Sequence, residues 1–156
     1  DLVAYGKALG GGMPIGAFIA PRHIMQVLSV DPPLGHITTF GGHPVNAAAA
    51  LATLQVLLET DLIAQVPEKE RLFRELLVHP AIKELRSAGL WMAVDLDNAT
   101  LVQQVIGRCM DQGLITDWFL FNDRCLRIAP PLTIGEPEIR FACSVILDAI
   151  SICTNR

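Results

Sequence analysis

Charge is scarce in this sequence. Only 18% of its 156 residues are Asp, Glu, Lys or Arg, and the formal net charge is -4. A chain with no basic surplus lacks the electrostatic footprint of a nucleic-acid binder. Long apolar runs are missing as well. The most apolar stretch, Val45 to Leu58, is broken by Asn46, Thr53 and Gln55 and is too short to span a membrane. The first residues, Asp1-Leu2-Val3-Ala4-Tyr5, have neither the basic start nor the cleavage site of a signal peptide. Cysteines are few and scattered, at Cys109, Cys125, Cys143 and Cys153, and no pair has metal-ligand spacing. They read as reduced thiols of a cytoplasmic protein, with Cys143 and Cys153 as small core residues of an apolar helix. Internal repeats and low-complexity segments are also absent.

What remains is globular in balance. Hydrophobic residues make up 51% of the chain, enough for one domain with a real core. The mean hydropathy of +0.42 implies more apolar surface than a lone small domain needs. Two short apolar runs, Leu2–Tyr5 and Ile15–Ala20, flank a glycine-rich turn and predict a strand pair. A short helix is expected over His23–Leu28. Ser29–Pro44 holds three prolines and three glycines and reads as a long ordered loop. Pro44 suits a first helical turn, and Val45–Glu59 is apolar on nearly every face, which predicts a buried helix. Asp61 is a candidate cap for the next helix, which Pro67 should break or kink. Further on, the pattern predicts a helical turn at Ala81–Arg86 and a half-buried strand at Leu90–Leu96. An amphipathic helix follows over Thr100–Gln112, stopped by Gly113. Strand candidates lie at Leu114-Ile115, Trp118–Phe121 and Cys125–Ala129, with a turn at Asn122-Asp123. A last helix runs from about Glu136 to Cys153. From Gly89 onward this is a small α/β sandwich with one layer of helices.

Three segments carry chemistry. The first is Gly6-Lys7-Ala8-Leu9-Gly10-Gly11-Gly12. A lysine at a strand edge can hold an aldehyde as a Schiff base if desolvation makes its neutral amine accessible. The glycines let backbone approach a planar ligand without Cβ clashes. Taken alone, an exposed lysine beside a flexible turn is the better explanation of the segment. A nucleotide-phosphate loop does not, because there the lysine follows the glycines. The second is Gly35-His36-Ile37-Thr38-Thr39-Phe40-Gly41-Gly42-His43-Pro44, where hydroxyls and glycines meet a helix start and suit a phosphate. A polar turn that merely caps the helix is the alternative. His36 and His43 have no accompanying carboxylate or cysteine, so no metal is expected. The third is Leu126-Arg127-Ile128-Ala129-Pro130-Pro131. A guanidinium in an apolar strand needs an anion, either a ligand carboxylate held in a two-pronged fork or a structural Asp or Glu.

The three segments, in this order and at these separations, resemble the class III aminotransferases, a subgroup of the fold-type I pyridoxal-phosphate enzymes. The likeness spans nearly the whole chain. It rests on Asp1-Leu2-Val3, the lysine–glycine stretch and Pro14-Ile15-Gly16-Ala17. It also rests on Thr38-Thr39-Phe40-Gly41-Gly42 with Pro44 and the alanine-rich helix, and on Leu126–Leu132.

The resemblance implies an α/β fold, the C-terminal portion of a fold-type I transferase. Residues 1–60 would be the end of the large cofactor-binding domain and 61–156 the small C-terminal domain. It implies pyridoxal 5'-phosphate as cofactor, attached to Lys7, which would also carry the proton of the transamination. Thr39 would bind the cofactor phosphate of the partner subunit in a homodimer, with Thr38 beside it. Arg127 would grip the carboxylate of a donor such as ornithine or acetylornithine, whose amino group passes to a 2-oxo acid. Arg86 is assigned no role. Racemases and aminomutases share the lysine segment. In the family, the phosphate-binding Gly-Ser/Thr loop, the aromatic stacked on the ring and the aspartate on its nitrogen all precede the lysine. The chain starts abruptly on an apolar segment, without an initiating Met, so a fragment inactive alone is expected. A non-catalytic assembly module is the reading from a different class.

Overall fold

The computed structural model describes residues 1–154. The chain forms two compact units, Asp1–Asp61 and a second beginning at Leu62. Among the described residues, no helix is long and apolar enough to cross a membrane.

In the first unit, β1 (Val3–Tyr5) and β2 (Ala17–Ile19) pair antiparallel with Ala4 opposite Phe18. This is the strand pair that the two apolar runs predict. Between them, Lys7–Gly10 form a turn of 3-10 helix closed by Gly11 at φ 56°. Gly11 is required there, because a Cβ would be strained at that φ and would strike the Thr53 hydroxyl. α1 (Arg22–Met25) is shorter than the helix expected over His23–Leu28 and passes into a 3-10 turn over Gln26–Ser29. Residues 30–43 contain only turns and bends.

α2 (Pro44–Glu59) has Pro44 in its first turn, and His43 Nδ1 accepts the Val45 N–H at 3.3 Å. The helix forms as predicted, but its burial does not. Only Ala50 is buried, while Val45, Leu51, Leu54 and Val56 are exposed and Leu58 is 82% exposed. A two-stranded sheet and a few turns cannot cover every face of a sixteen-residue helix.

The second unit has a core. α3 (Val66–Leu76) starts later than expected, with Pro67 in its first turn and residues 61–65 in turns. Asp61 therefore caps nothing, and Pro67 begins the helix instead of breaking it, because its missing N–H costs nothing there. β3 (Glu84–Ala88), β4 (Trp91–Asp95), β5 (Asp117–Phe119) and β6 (Asn122–Ile128) make an antiparallel sheet in the order β3-β4-β6-β5. The helical turn expected at Ala81–Arg86 is thus mostly strand. Edge pairing with β4 overrides weak local preference in Glu-Leu-Arg-Ser-Ala. The hairpin turn falls at Leu120-Phe121, so Asn122 begins β6, and Leu114-Ile115 is no strand.

α4 (Ala99–Asp111) is capped by Asn98, whose Oδ1 accepts the Leu101 N–H at 3.0 Å. α5 (Glu136–Thr154) begins where Gly135 donates its N–H to Glu138. One hydrophobic cluster joins the helices to one face of the sheet. It includes Phe73, Met92, Val94, Val102, Leu126, Ile139 and Ile146. The strand period of two then sends Trp91, Ala93, Asp95 and Arg127 to the other face, which no described helix of this unit covers.

Candidate functional site

Lys7 lies two residues past the end of β1. Gly6 is extended, and Lys7 turns into the left-handed region at φ 51°. A non-glycine residue there is strained by roughly 1–2 kcal/mol, a cost that functional sites recurrently carry. Lys7 is exposed within its unit, and no carboxylate among the described residues pairs with it. The buried amine expected from the sequence is therefore not formed by residues 1–61 alone. The free amine beside a glycine turn does fit a group that takes an aldehyde.

Thr38 belongs to a second feature of the same unit. It lines a hollow of about 280 Å³ with Pro14, Gly16, Gly41, His43 and Asn46 at the start of α2. Gly41 N–H closes onto Thr38 O at 3.1 Å, and Asn46 Nδ2 donates to Pro14 O at 2.6 Å, tying α2 to the segment before β2. A hydroxyl, turn glycines and a helix start are the donor set that an anion takes. Neither Thr39 nor Lys7 lines this hollow. Asn46 was visible in the sequence only as a polar break in an apolar helix.

Arg127 belongs to the second unit. It lies on β6, opposite Ala93 on one side and Asp117 on the other. Arg127 Nη2 donates to Asp117 Oδ2 at 2.7 Å, and the guanidinium carbon lies 5.8 Å from the Trp91 ring centre. Of the two partners left open by the sequence, an internal carboxylate is present, and it uses one of the five guanidinium N–H groups. Thr116 Oγ1 donates to Arg127 O at 2.7 Å and steadies the strand.

Beside this pair is an apolar hollow of about 390 Å³ lined by Trp91, Ala93, Phe119, Phe121, Cys125 and Arg86, among others. Trp91 and Phe119 meet edge to face at 5.8 Å. Arg86 is paired with Glu84, donates to Cys125 Sγ at 3.2 Å and lies 3.7 Å from Asp95. Burial, reinforced by Asp95, pushes the Cys125 thiol up from its ordinary value. Sequence reasoning missed Asp117 and Trp91. The signal for Asp117 was the hairpin register, which places it opposite Arg127 once the turn is set at Leu120-Phe121.

A model of the aminotransferase class-III family matches residues 1–150. Among solved structures, the chain is similar to the ornithine aminotransferase of Toxoplasma gondii ME49, at 30% identity and TM-score 0.85, with 100% of this chain and 38% of that one covered. It is similar to a thermostable omega transaminase at 27% identity and TM-score 0.87, covering 99% and 38%. A transaminase solved with L-alanine matches at 25% identity and TM-score 0.85, covering 99% and 41%. The chain thus spans about two-fifths of the length of these relatives.

Proposed function

Because this chain belongs to the class III aminotransferases, we propose that the whole protein moves an amino group from an amino acid to a 2-oxo acid with pyridoxal 5'-phosphate as cofactor. The observation that carries the reading is Lys7, a free lysine held at φ 51° between a strand and a glycine turn, inside the matched segment. When bound, the cofactor supplies an aldehyde for a lysine amine and a ring that withdraws electrons from the substrate carbon.

Lys7 Nζ is the nucleophile for that aldehyde and, when free, the base that moves a proton at the substrate's amino-bearing carbon. Thr38 and Thr39 contact the phosphate, Thr39 from the partner subunit of a homodimer. Arg127 binds the donor carboxylate through the N–H groups that Asp117 leaves free. The donor class is ornithine or acetylornithine, supported by the 30% likeness to the Toxoplasma gondii enzyme. Residues 1–60 supply the cofactor end of the site and residues 61–156 the small domain. Residues 1–156 alone do not turn over substrate, because the groups that hold the ring come from elsewhere in the protein.

The test is spectroscopic. The whole protein purified with pyridoxal phosphate should be yellow, and adding an amino donor should shift its absorption. Lys7→Ala should lose the colour of the attached cofactor and cut turnover by at least about 10²–10⁴-fold. Unchanged turnover in Lys7→Ala would refute the assignment.

A further inference from the structure

The helix-free face of the second unit's sheet carries a row of residues in register across four strands: Arg86, Ala93, Arg127 and Asp117. Neighbouring strands lie about 4.8 Å apart, so Arg127 has small Ala93 on one side and Asp117 on the other. Trp91, two residues before Ala93, projects to the same face.

We propose that Asp117 and Trp91 are positioning residues for Arg127, fixing which edge of its guanidinium meets the substrate carboxylate. The inference rests on the reading of Arg127 as the carboxylate clamp. Asp117 is itself held: its Oδ1 accepts the Trp118 N–H at 2.8 Å while its Oδ2 accepts from Arg127 Nη2 at 2.7 Å. Both oxygens are committed, so the carboxylate is an anchor for the arginine. The guanidinium carbon lies over the Trp91 ring, 5.8 Å from its centre. With one Nη2 N–H anchored on Asp117, one two-pronged edge of the guanidinium is occupied and the other, which uses the second Nη2 N–H, remains to take a carboxylate. As a stabilising element, an ion pair whose side chains are 36% and 45% exposed contributes little. Its larger effect is on orientation, because a free arginine side chain must lose several rotamers before it can grip an anion. Asp117 also places a fixed negative charge beside the clamp. The site therefore suits donors with a single carboxylate at this end, and a second carboxylate there meets repulsion.

The test uses the whole holoenzyme and steady-state kinetics with L-ornithine, or another α-amino acid if the wild type prefers it. Asp117→Asn keeps the shape and an acceptor for Trp118 N–H but removes the charge. It should raise KM about tenfold with kcat within about twofold. Asp117→Glu should recover part of the loss, and Trp91→Leu should raise KM by about threefold. Loss of folded protein alone would lower kcat and leave KM in place, and that outcome overturns the positioning role. Arg127→Ala separates the two readings. If it leaves KM unchanged, the clamp itself is wrong. If it raises KM while Asp117→Asn does not, the clamp stands and the positioning role falls.

Discussion

Lys7 occupies a backbone region that favours glycine, so chemistry and stability make opposite demands on one residue. Lys7→Gly should relieve strain and raise the stability of the cofactor-free protein by up to about 1 kcal/mol, seen as a higher thermal midpoint. The same change should abolish cofactor attachment. The sequence singles out the lysine because glycines surround it. Its strain was not legible, since no pattern of residue types encodes a positive φ at a lysine. Cysteines give a second test at this scale. Burial, with a smaller contribution from Cys153, pushes the Cys109 thiol up to about 11, and burial alone pushes Cys143 up to about 12. At pH 8 only about one thiol in 10³–10⁴ of these is ionised. Iodoacetamide should therefore label the half-buried Cys153 well before Cys109 or Cys143, and mass spectrometry of the peptides reads the order.

Elements with strong period and clear punctuation could be read directly. β4 alternates buried Met92 and Val94 with Trp91, Ala93 and Asp95, and α4 runs from an Asn cap to Gly113 at φ 79°. β3 could not be read, because Glu84–Ala88 lacks β-branched residues and becomes a strand only through its partner. The β5–β6 turn was misplaced because Leu120 and Phe121 are good strand formers sitting at an exposed hairpin tip. That slip hid Asp117, and with it the partner of Arg127. Two substitutions test the element account. Asn98→Ala removes the α4 cap and should cost about 1 kcal/mol. Gly89→Ala puts a Cβ at φ 62°, 2.8 Å from Val66 Cγ1, and should cost more than about 1 kcal/mol. Urea unfolding followed by circular dichroism measures both.

At the scale of the whole molecule, the two units differ in how much they bury. The second has a full core, and Phe73→Ala should cost it about 3–5 kcal/mol. The first buries only Gly10 and Ala50 and leaves the apolar side chains of α2 in solvent. That exposure is of residues 1–61 taken by themselves, in a chain that spans about two-fifths of its relatives' length. The family and the mixed α/β architecture were legible in the sequence. The unpaired face of α2 was not, because an apolar helix reads as buried whatever covers it.

Acid also acts globally. The Ser87 hydroxyl, then Arg74 and the Gly89 N–H, hold Glu70 below its ordinary value of 4.5, against burial. A lowered carboxyl contributes stability above the unfolded value and loses it as pH falls through the folded one. The thermal midpoint should thus drop as pH falls below about 4.5, and Glu70→Gln should flatten that drop.

The central claim is that Lys7 holds the cofactor. Borohydride reduction of the yellow whole protein, followed by digestion and mass spectrometry, tests it most directly. The account predicts one phosphopyridoxyl group, on the peptide that contains Lys7. A label on Lys69 or Lys83, or on no residue of this chain, would contradict it.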